Sequence, residues 1–247
     1  MRLDRAVVLR GLTESRAKAA SAIAEGRVTV NGKTVTKASF EVEETDAVEL
    51  LPSGEDYVSR AGRKLASALD AFGISPEGKT VIDVGASTGG FTDCLLRRGA
   101  DYVYAVDVGT GQLSPSLANH PKVRNMEKTN ARTLTVGCFD RKIDMAVMDV
   151  SFISQSLLYP AVSSLLPPGG PLVTLVKPQF EVGPEGVGKN GIVRDPDGKH
   201  IREIMKKLTA EAEKSGLAFE GMTDSPIPGG DGNREYLALF RKGPQEK

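Results

Sequence analysis

The sequence contains no tryptophan and only two cysteines and two histidines among its 247 residues. Cys94 and Cys138 lack the spacing of a metal site, and each lies in an apolar context that predicts a buried thiol in a reducing compartment. His120 and His200 have no metal-binding neighbours in the sequence. These shortages exclude a small disulfide-stabilised domain and a zinc module, and we expect no metal centre.

Long hydrophobic runs are also absent. No apolar run approaches the roughly 18 residues that a membrane helix requires, and the opening segment MRLDRAVVLRG is too charged for a signal peptide. Charged residues make up 26% of the chain and cancel to a formal net charge of zero, which excludes a disordered polyelectrolyte. We therefore expect a soluble cytoplasmic protein, long enough for one large domain and one small one.

The most informative stretch is TVIDVGASTGGF, residues 80–91. Its β-branched first half predicts a buried strand, and its glycines predict a turn whose backbone closely approaches a ligand. A dinucleotide site needs a central glycine where this chain has Ser87. An acid at Asp83 followed by G-x-x-x-G-G is instead typical of methyltransferases that use S-adenosylmethionine (SAM).

A second acid, Asp107, ends the next predicted strand, where a carboxylate can accept hydrogen bonds from both hydroxyls of a ribose. Asn130-Ala131, after the third strand, is where we expect a contact to adenine. The sequence therefore predicts a SAM site formed by Asp83, Gly85, Ala86, Ser87, Thr88, Gly89, Gly90, Phe91, Asp107, Val108, Asn130, Ala131 and Asp149.

Residues 1–52 are predicted to form a separate module, followed by a linker at 53–58 and a larger domain at 59–247. The module should contain two short helices, the second capped by Thr13, and a hairpin at Asn31-Gly32. Between Met1 and Lys37 the sequence contains eight basic and three acidic residues. This excess of positive charge favours a phosphate-binding surface. Our candidate RNA-binding residues are Arg2, Arg5, Arg16, Lys18, Arg27 and Lys33, with Arg60 and Arg63 at the start of the larger domain.

Strands and helices alternate through the larger domain, in which residues 151–166 are predicted to be mostly helical. This order predicts an α/β fold with a doubly wound, mainly parallel sheet and an antiparallel edge. Asp149 and Lys177 end consecutive buried strands on the same edge as the glycine turn, where charged side chains indicate function. The glycine-rich polar stretch at residues 181–200 is predicted to be a mobile flap over a site.

Several motifs carry a resemblance to known proteins. R-L-D, S-R-x-x-A and E-G-R-V-T-V-N-G-K resemble an S4 domain, a small module that binds structured RNA. With RAGRKL, DVGASTGGFTD, YAVDVG, MDVSF, LVKPQFE and NREY in this order, the chain resembles the TlyA-type (hemolysin A) family of ribosomal RNA methyltransferases.

The resemblance implies a Rossmann-like class I SAM methyltransferase sheet of the FtsJ-like kind, with an N-terminal α+β S4 domain. It also implies methyl transfer from SAM to a cytidine ribose 2′-hydroxyl of 16S and/or 23S ribosomal RNA, with ribosomal subunits as partners. Some family members carry a tryptophan in the interdomain linker, and this chain has none.

The family's catalytic K-D-K-E tetrad corresponds here to Lys64, Asp149, Lys177 and Glu235. We expect Lys177, held by Asp149 and Glu235, to face the 2′-oxygen and assist its deprotonation. Lys64 would fix the substrate or share charge with Asp149. Sulfonium is already a good leaving group, so the reaction needs no metal.

Three other readings compete with this one. The first hypothesis is an RNA-binding protein whose methyltransferase domain is inactive, the second is a haemolysin, and the third is a nicotinamide-dependent oxidoreductase. Charges at all four tetrad positions argue against the first, and the absence of a membrane segment argues against the second. Asp83 and the missing middle glycine argue against the third.

Overall fold

A computed structural model describes residues 1–51, 57–183, 186–188, 190–230 and 232–244. The chain divides into two compact units, Met1–Asp56 and Tyr57–Lys247. Residues 53–56 of the predicted linker lie outside the described residues, as do 184, 185 and 189 of the predicted flap.

The first unit packs two helices against a three-stranded antiparallel sheet in the order β2-β1-β3. Its elements are α1 (Leu3–Leu9), α2 (Arg16–Ala24), β1 (Val28–Val30), β2 (Lys33–Thr34) and β3 (Val48–Leu50). The hairpin predicted at Asn31-Gly32 is confirmed, since both residues have positive φ between β1 and β2. The predicted cap of α2 is wrong: Ser15, not Thr13, accepts a hydrogen bond from the Lys18 amide, because Ser15 directly precedes the helix.

The second unit is built on a seven-stranded sheet with the order β6-β5-β4-β7-β8-β10-β9. The strands are β4 (Thr80–Val84), β5 (Tyr102–Val106), β6 (Val123–Met126), β7 (Met145–Met148), β8 (Pro171–Val176), β9 (Leu217–Asp224) and β10 (Tyr236–Lys242). The first five strands along the sheet pair in parallel, whereas β10 runs antiparallel to both β8 and β9. The predicted parallel sheet with an antiparallel edge is confirmed.

Helices cover both faces of this sheet. They are α3 (Ala61–Phe72), α4 (Gly90–Arg97), α5 (Pro115–Ala118), α6 (Tyr159–Leu165), α7 (Pro178–Glu181) and α8 (Lys199–Lys214). Apolar side chains of α3 and α4 pack on one face, and those of α6 and α8 pack on the other. Residues 151–166, predicted to be mostly helical, form a 3₁₀ turn at Gln155–Leu158 before α6 begins with Pro160 in its first turn.

Side-chain alternation directs the charged strand ends to one face. Val81, Val147, Leu175 and Leu237 all lie in the core beneath α3 and α4. Each of these residues is two positions from a charged residue that lies nearer the sheet edge with the glycine turn. The charged residues are, in the same order, Asp83, Asp149, Lys177 and Glu235. Because side chains two apart on a strand share a face, these four groups belong to the α3–α4 side of one sheet edge.

No helix in the described part of the chain is long and apolar enough to span a lipid bilayer.

Candidate active site

The glycine turn after β4 depends on residues that tolerate unusual backbone angles. Gly85, Ser87 and Gly89 have φ of 84°, 47° and 97°. A Cβ at Gly85 would overlap the main-chain oxygen of Asp149, and one at Gly89 would overlap the side chain of Leu117. The turn therefore passes tightly between the end of β7 and α5, while Ser87 and Thr88 remain exposed.

Asp107, at the end of β5, holds the outer side of this turn. Its Oδ2 accepts a hydrogen bond from the Ser87 amide at 2.8 Å, and its Oδ1 accepts one from the Gly109 amide at 2.7 Å. Each carboxylate oxygen can accept a further bond. Val108, predicted to contact the cofactor, follows with 72% of its surface exposed.

The segment predicted to contact adenine lies beside Asp107. The amide of Thr129 donates to the main-chain oxygen of Asp107 at 2.9 Å. The Asn130 side chain accepts a hydrogen bond from the Arg132 amide at 3.1 Å, and Ala131 is buried. The structure thus brings Asp107 and Asn130-Ala131 together. The side-chain oxygen of Asn130 is already hydrogen-bonded to the Arg132 amide.

Asp83 is fully buried beneath the glycine turn. Thr92 of α4 donates a hydrogen bond to its Oδ2 at 2.6 Å, whereas its Oδ1 has no hydrogen-bond partner among the described residues. Burial raises the pKa of Asp83 to about 7, against the effect of the Thr92 hydrogen bond and with help from the charges of Asp149 and Asp107. A buried carboxyl oxygen without a donor is a group that a cationic or hydrogen-bonding ligand would satisfy.

The four residues matched to the tetrad form two ion pairs. Lys64 Nζ lies 2.5 Å from Glu235 Oε2, and both side chains are at least 90% buried. Lys177 Nζ lies 2.6 Å from Asp149 Oδ1 and donates a hydrogen bond to Ser151 Oγ at 2.9 Å. The second pair is more accessible, with 14% and 17% of its side chains exposed.

This pairing corrects two of the sequence-based expectations. Among the residues that the structure describes, Lys177 pairs with Asp149 and not with Glu235, and Lys64 pairs with Glu235 and not with Asp149. The reason lies in burial. A carboxylate as deeply buried as Glu235 requires a cation of its own, and the first turn of α3 supplies Lys64.

A cavity of about 150 Å³ joins the glycine turn to the second pair. Its walls include Gly85, Ser87 and Phe91 from the turn and α4, and Asp149 and Lys177 from the strand ends. Enclosed ligand sites usually measure about 300 Å³ or more, so this cavity would hold only part of a cofactor. Asp107 and Asn130 are not among the residues that line it.

Two aromatic residues that the sequence analysis missed lie beside the accessible pair. Phe152 is 87% exposed, has a φ of 65°, and its ring centroid lies 5.0 Å from that of Phe180. The motifs MDVSF and LVKPQFE contain both residues, but no sequence pattern indicates that Phe152 would be left exposed.

Glu181, the first residue of the predicted flap, has a role in the site that the sequence did not predict. It is buried at the end of α7 and accepts hydrogen bonds from Ser154 Oγ at 2.7 Å and the Gln155 amide at 2.9 Å. Burial raises the pKa of this carboxyl. Its contacts tie the segment after Asp149 to the segment after Lys177.

The predicted RNA-binding residues of the first unit are mostly held by acids. The buried carboxylate of Asp4 accepts from Arg2 at 3.1 Å and from Arg16 at 2.7 Å, and these bonds hold the pKa of Asp4 well below its usual range. Arg27 pairs with Glu25 at 2.9 Å, and Lys18 pairs with Glu14. Arg5 and Lys33 are exposed.

The two basic candidates of the second unit differ from each other. Arg60 is exposed directly before α3, and Arg63 is partly buried within that helix. Among the residues that the structure describes, no group of three or more His, Cys, Asp and Glu side chains could hold a metal ion.

Comparison with known proteins places both units. The FtsJ-like methyltransferase family matches residues 57–242, and the S4 domain family matches residues 1–48. A SAM-dependent methyltransferase structure from Mesorhizobium loti shares the fold of the larger unit, with a TM-score of 0.52 at 16% identity over 71% of this chain and 96% of its own. The larger unit therefore has the class I SAM methyltransferase fold.

Relatives that cover nearly the whole chain are more specific. The 16S/23S rRNA (cytidine-2′-O)-methyltransferase TlyA of Mycobacterium tuberculosis is 42% identical over 97% of this chain and 89% of its own. Hemolysin A of Brachyspira hyodysenteriae is 45% identical over 97% and 99%. A solved hemolysin-named protein from Streptococcus thermophilus is 41% identical over 98% and 88%, with a TM-score of 0.76. The chain belongs to the TlyA/hemolysin A family of FtsJ-like methyltransferases.

Proposed function

We propose that this protein transfers the methyl group of SAM to the 2′-hydroxyl of a cytidine ribose in 16S and/or 23S ribosomal RNA. The observation that carries the proposal is the cavity in which the Lys177–Asp149 pair adjoins a glycine turn of the methyltransferase type. The family supports the substrate, since two named relatives are cytidine-2′-O-methyltransferases of ribosomal RNA.

The residues around the turn fit a SAM molecule. The unpartnered oxygen of Asp83 would accept a hydrogen bond from a donor at the methionine end of SAM. Asp107 keeps acceptor capacity for ribose hydroxyls, and residues 130 and 131 would contact the adenine. When bound, SAM supplies an electrophilic methyl group on a sulfonium leaving group.

Lys177 is the residue that would face the attacking oxygen. A ribose hydroxyl is a weak acid, so methyl transfer requires a group that removes its proton and stabilises the developing negative charge. Lys177 in its neutral form, after its own proton has passed to solvent, would take the hydroxyl proton, and the oxygen would receive the methyl group that the sulfonium releases. Asp149, 2.6 Å away, orients the amine and stabilises the resulting ammonium.

The buried pair has a different task in this proposal. Asp149 and Lys177 line the cavity, whereas Lys64 and Glu235 are not among its lining residues and support the strand end from which Lys177 projects. Tyr236 of β10 lies opposite Val176 of β8 in the antiparallel pairing. Extending this register by one residue places Glu235 opposite Lys177. We assign Lys64 and Glu235 to positioning, and Lys177 and Asp149 to catalysis.

Phe152 would receive the base of the target nucleotide. A nucleotide must leave its stack before its ribose can enter a cavity, and exposed aromatic rings stabilise such bases by stacking. Phe152 is exposed, supported from below by Phe180, and three residues after Asp149.

The test is incorporation of tritiated methyl from SAM into purified 30S and 50S subunits by the full chain. We expect label in the RNA of at least one subunit. Lys177→Ala should abolish incorporation while calorimetry shows SAM affinity nearly unchanged, and Lys206→Ala, at an exposed position of α8, should behave as the wild type. Absence of label on both subunits, with SAM still bound, would refute the ribosomal substrate. Turnover by the Lys177→Ala variant would remove Lys177 from the mechanism.

A further inference from the structure

A second cavity, of about 400 Å³, opens at the same sheet edge but on the opposite face. Its walls include Pro178, Val193, Arg194, Arg234 and Tyr236. Tyr236 belongs to the core beneath α6 and α8, whereas Lys64 and Glu235 lie on the α3 side. Nothing in the catalytic scheme above uses this cavity.

The cavity begins within one residue of both ion pairs. Pro178 directly follows Lys177, and Tyr236 directly follows Glu235. Arg234 and Tyr236 line this cavity, whereas Glu235 between them pairs with Lys64 of α3 on the other face. Lys177 lines the first cavity and Pro178 the second, so a nucleotide next to one whose ribose reached Lys177 would lie beside this cavity.

The chemistry of the walls suits an unstacked nucleotide. The Arg234 guanidinium carbon lies 5.4 Å from the ring centroid of Tyr236, and Asp224 holds the same guanidinium at 2.9 Å. This arrangement fixes a flat cationic surface on which a base can stack. Arg194 is exposed and has no ion-pair partner among the described residues, so it is available to a phosphate.

Buried hydrogen bonds hold the cavity in shape. Asn233 is 1% exposed, accepts from the Val193 amide and donates to the Gly191 carbonyl, each at 2.9 Å. The Asp195 carboxylate, the acidic group in the wall, accepts from the amides of His200 and Ile201 at the start of α8. Its charge is directed to the helix terminus, which reduces its repulsion of a phosphate.

The motif NREY is explained residue by residue in this way. Asn233 clamps the cavity wall, Arg234 and Tyr236 form its stacking surface, and Glu235 turns to the other face to pair with Lys64.

We propose that this cavity is a subsite for a single-stranded RNA nucleotide adjacent to the methylated one, with its base on Arg234 and its phosphate on Arg194. The proposal rests on the RNA methyltransferase function proposed above. It assigns substrate positioning to the catalytic unit itself, apart from any RNA binding by the S4 domain.

The test compares Arg234→Ala and Arg194→Ala with Arg241→Ala as the matched control. Arg241 lies on the same strand as Tyr236 and pairs with Glu220 of β9 at 2.7 Å, much as Arg234 pairs with Asp224 of β9. We expect each cavity substitution to raise KM for the RNA substrate about tenfold, because one stacked base or phosphate contact is lost. The kcat and the SAM affinity should not change. The slope of log affinity against log salt should fall by about 1 in the Arg194→Ala variant.

Equal KM values for the two cavity variants and the Arg241→Ala control would overturn the subsite. Failure of the function itself gives a different result, in which wild-type protein labels neither subunit. In that case the subsite is tested by fluorescence anisotropy of the full chain with a labelled single-stranded oligoribonucleotide. Weaker binding by the Arg194→Ala and Arg234→Ala variants than by the control would support it, and equal binding would refute it.

Discussion

At the scale of single residues, the two ion pairs of the site differ mainly in the burial of their carboxylates, since the Glu235 side chain is 3% exposed and that of Asp149 is 17% exposed. Lys64 is 10% exposed as a side chain and neutralises Glu235, which is 3% exposed. Removal of one member of such a pair leaves a charge buried without compensation, which typically costs about 3–5 kcal/mol, whereas removal of both costs much less.

We therefore predict that Lys64→Met strongly lowers the free energy of unfolding and that adding Glu235→Leu restores most of it. Urea denaturation of the single and double variants measures both effects. If the single variant is as stable as the double variant, the pair is not the buried charge pair described here.

Asp83 gives a pH dependence whose sign follows from its burial. An unfolded aspartate has a pKa near 3.9, about three units below the folded value of about 7. The folded state thus binds the proton more tightly, and the stability that this group contributes is present below about pH 4 and is lost as pH rises to about 7. The total change is on the order of 4 kcal/mol.

The measurement is the free energy of unfolding between pH 4 and pH 8, without ligand, for wild type and Asp83→Asn. An asparagine still accepts the Thr92 hydrogen bond but does not titrate, so the variant should lack the decline that Asp83 causes. Parallel profiles for the two proteins would contradict the raised pKa.

The sequence locates Asp83, Asp149 and Lys177 well, because each directly follows or ends a short apolar run that predicts a buried strand. Side chains two positions apart on a strand share a face, so the face of each charged residue also follows from the sequence. It does not reveal how the charges pair. Lys64 and Glu235 are 171 residues apart, and their contact depends on where α3 packs, which no local pattern specifies. The exposure of Phe152 depends likewise on a left-handed backbone angle at a residue that rarely adopts one.

At the scale of elements, the glycine turn combines backbone strain with close packing, and two glycines separate these effects. Gly85 has positive φ and faces the Asp149 main chain, whereas Gly78 has a φ of 67° with open space around it. Gly78→Ala should cost about 1–2 kcal/mol through its backbone angle alone. Gly85→Ala should also displace the end of β7 and Asp149 with it.

We predict that Gly85→Ala abolishes SAM binding in calorimetry and that Gly78→Ala binds SAM with wild-type affinity. Thermal denaturation of both variants shows how much of each effect is loss of folding. Unimpaired SAM binding by Gly85→Ala would mean that the turn does not hold the cofactor.

The strands and long helices follow from periodicity, and the parallel order of the sheet follows from their alternation. The irregular segments do not. Residues 151–166 are apolar enough to predict a helix, but Pro160 and the hydrogen bonds of Ser154 and Gln155 to the buried Glu181 delay α6 until Tyr159. A carboxylate 26 residues away thus determines where that helix begins.

At the scale of the whole molecule, a formal net charge of zero conceals two surfaces that carry arginines. In the S4 domain, Asp4 holds Arg2 and Arg16 in place from beneath, so one buried acid orients two cations. In the catalytic unit, Arg194 and Arg234 come from separate segments that meet only in the folded sheet. The basic excess of the first module is visible in the sequence because its residues are close together, and the second surface is not.

The central claim is that the methyl group reaches a ribose oxygen rather than a base. A 2′-O-methyl group blocks alkaline cleavage of RNA because the 2′-hydroxyl is the attacking nucleophile in that reaction. The decisive measurement is alkaline hydrolysis of tritium-labelled ribosomal RNA, followed by nucleoside analysis by mass spectrometry. The account predicts label in alkali-resistant dinucleotides that yield 2′-O-methylcytidine, whereas label in alkali-sensitive, base-methylated nucleotides would contradict it.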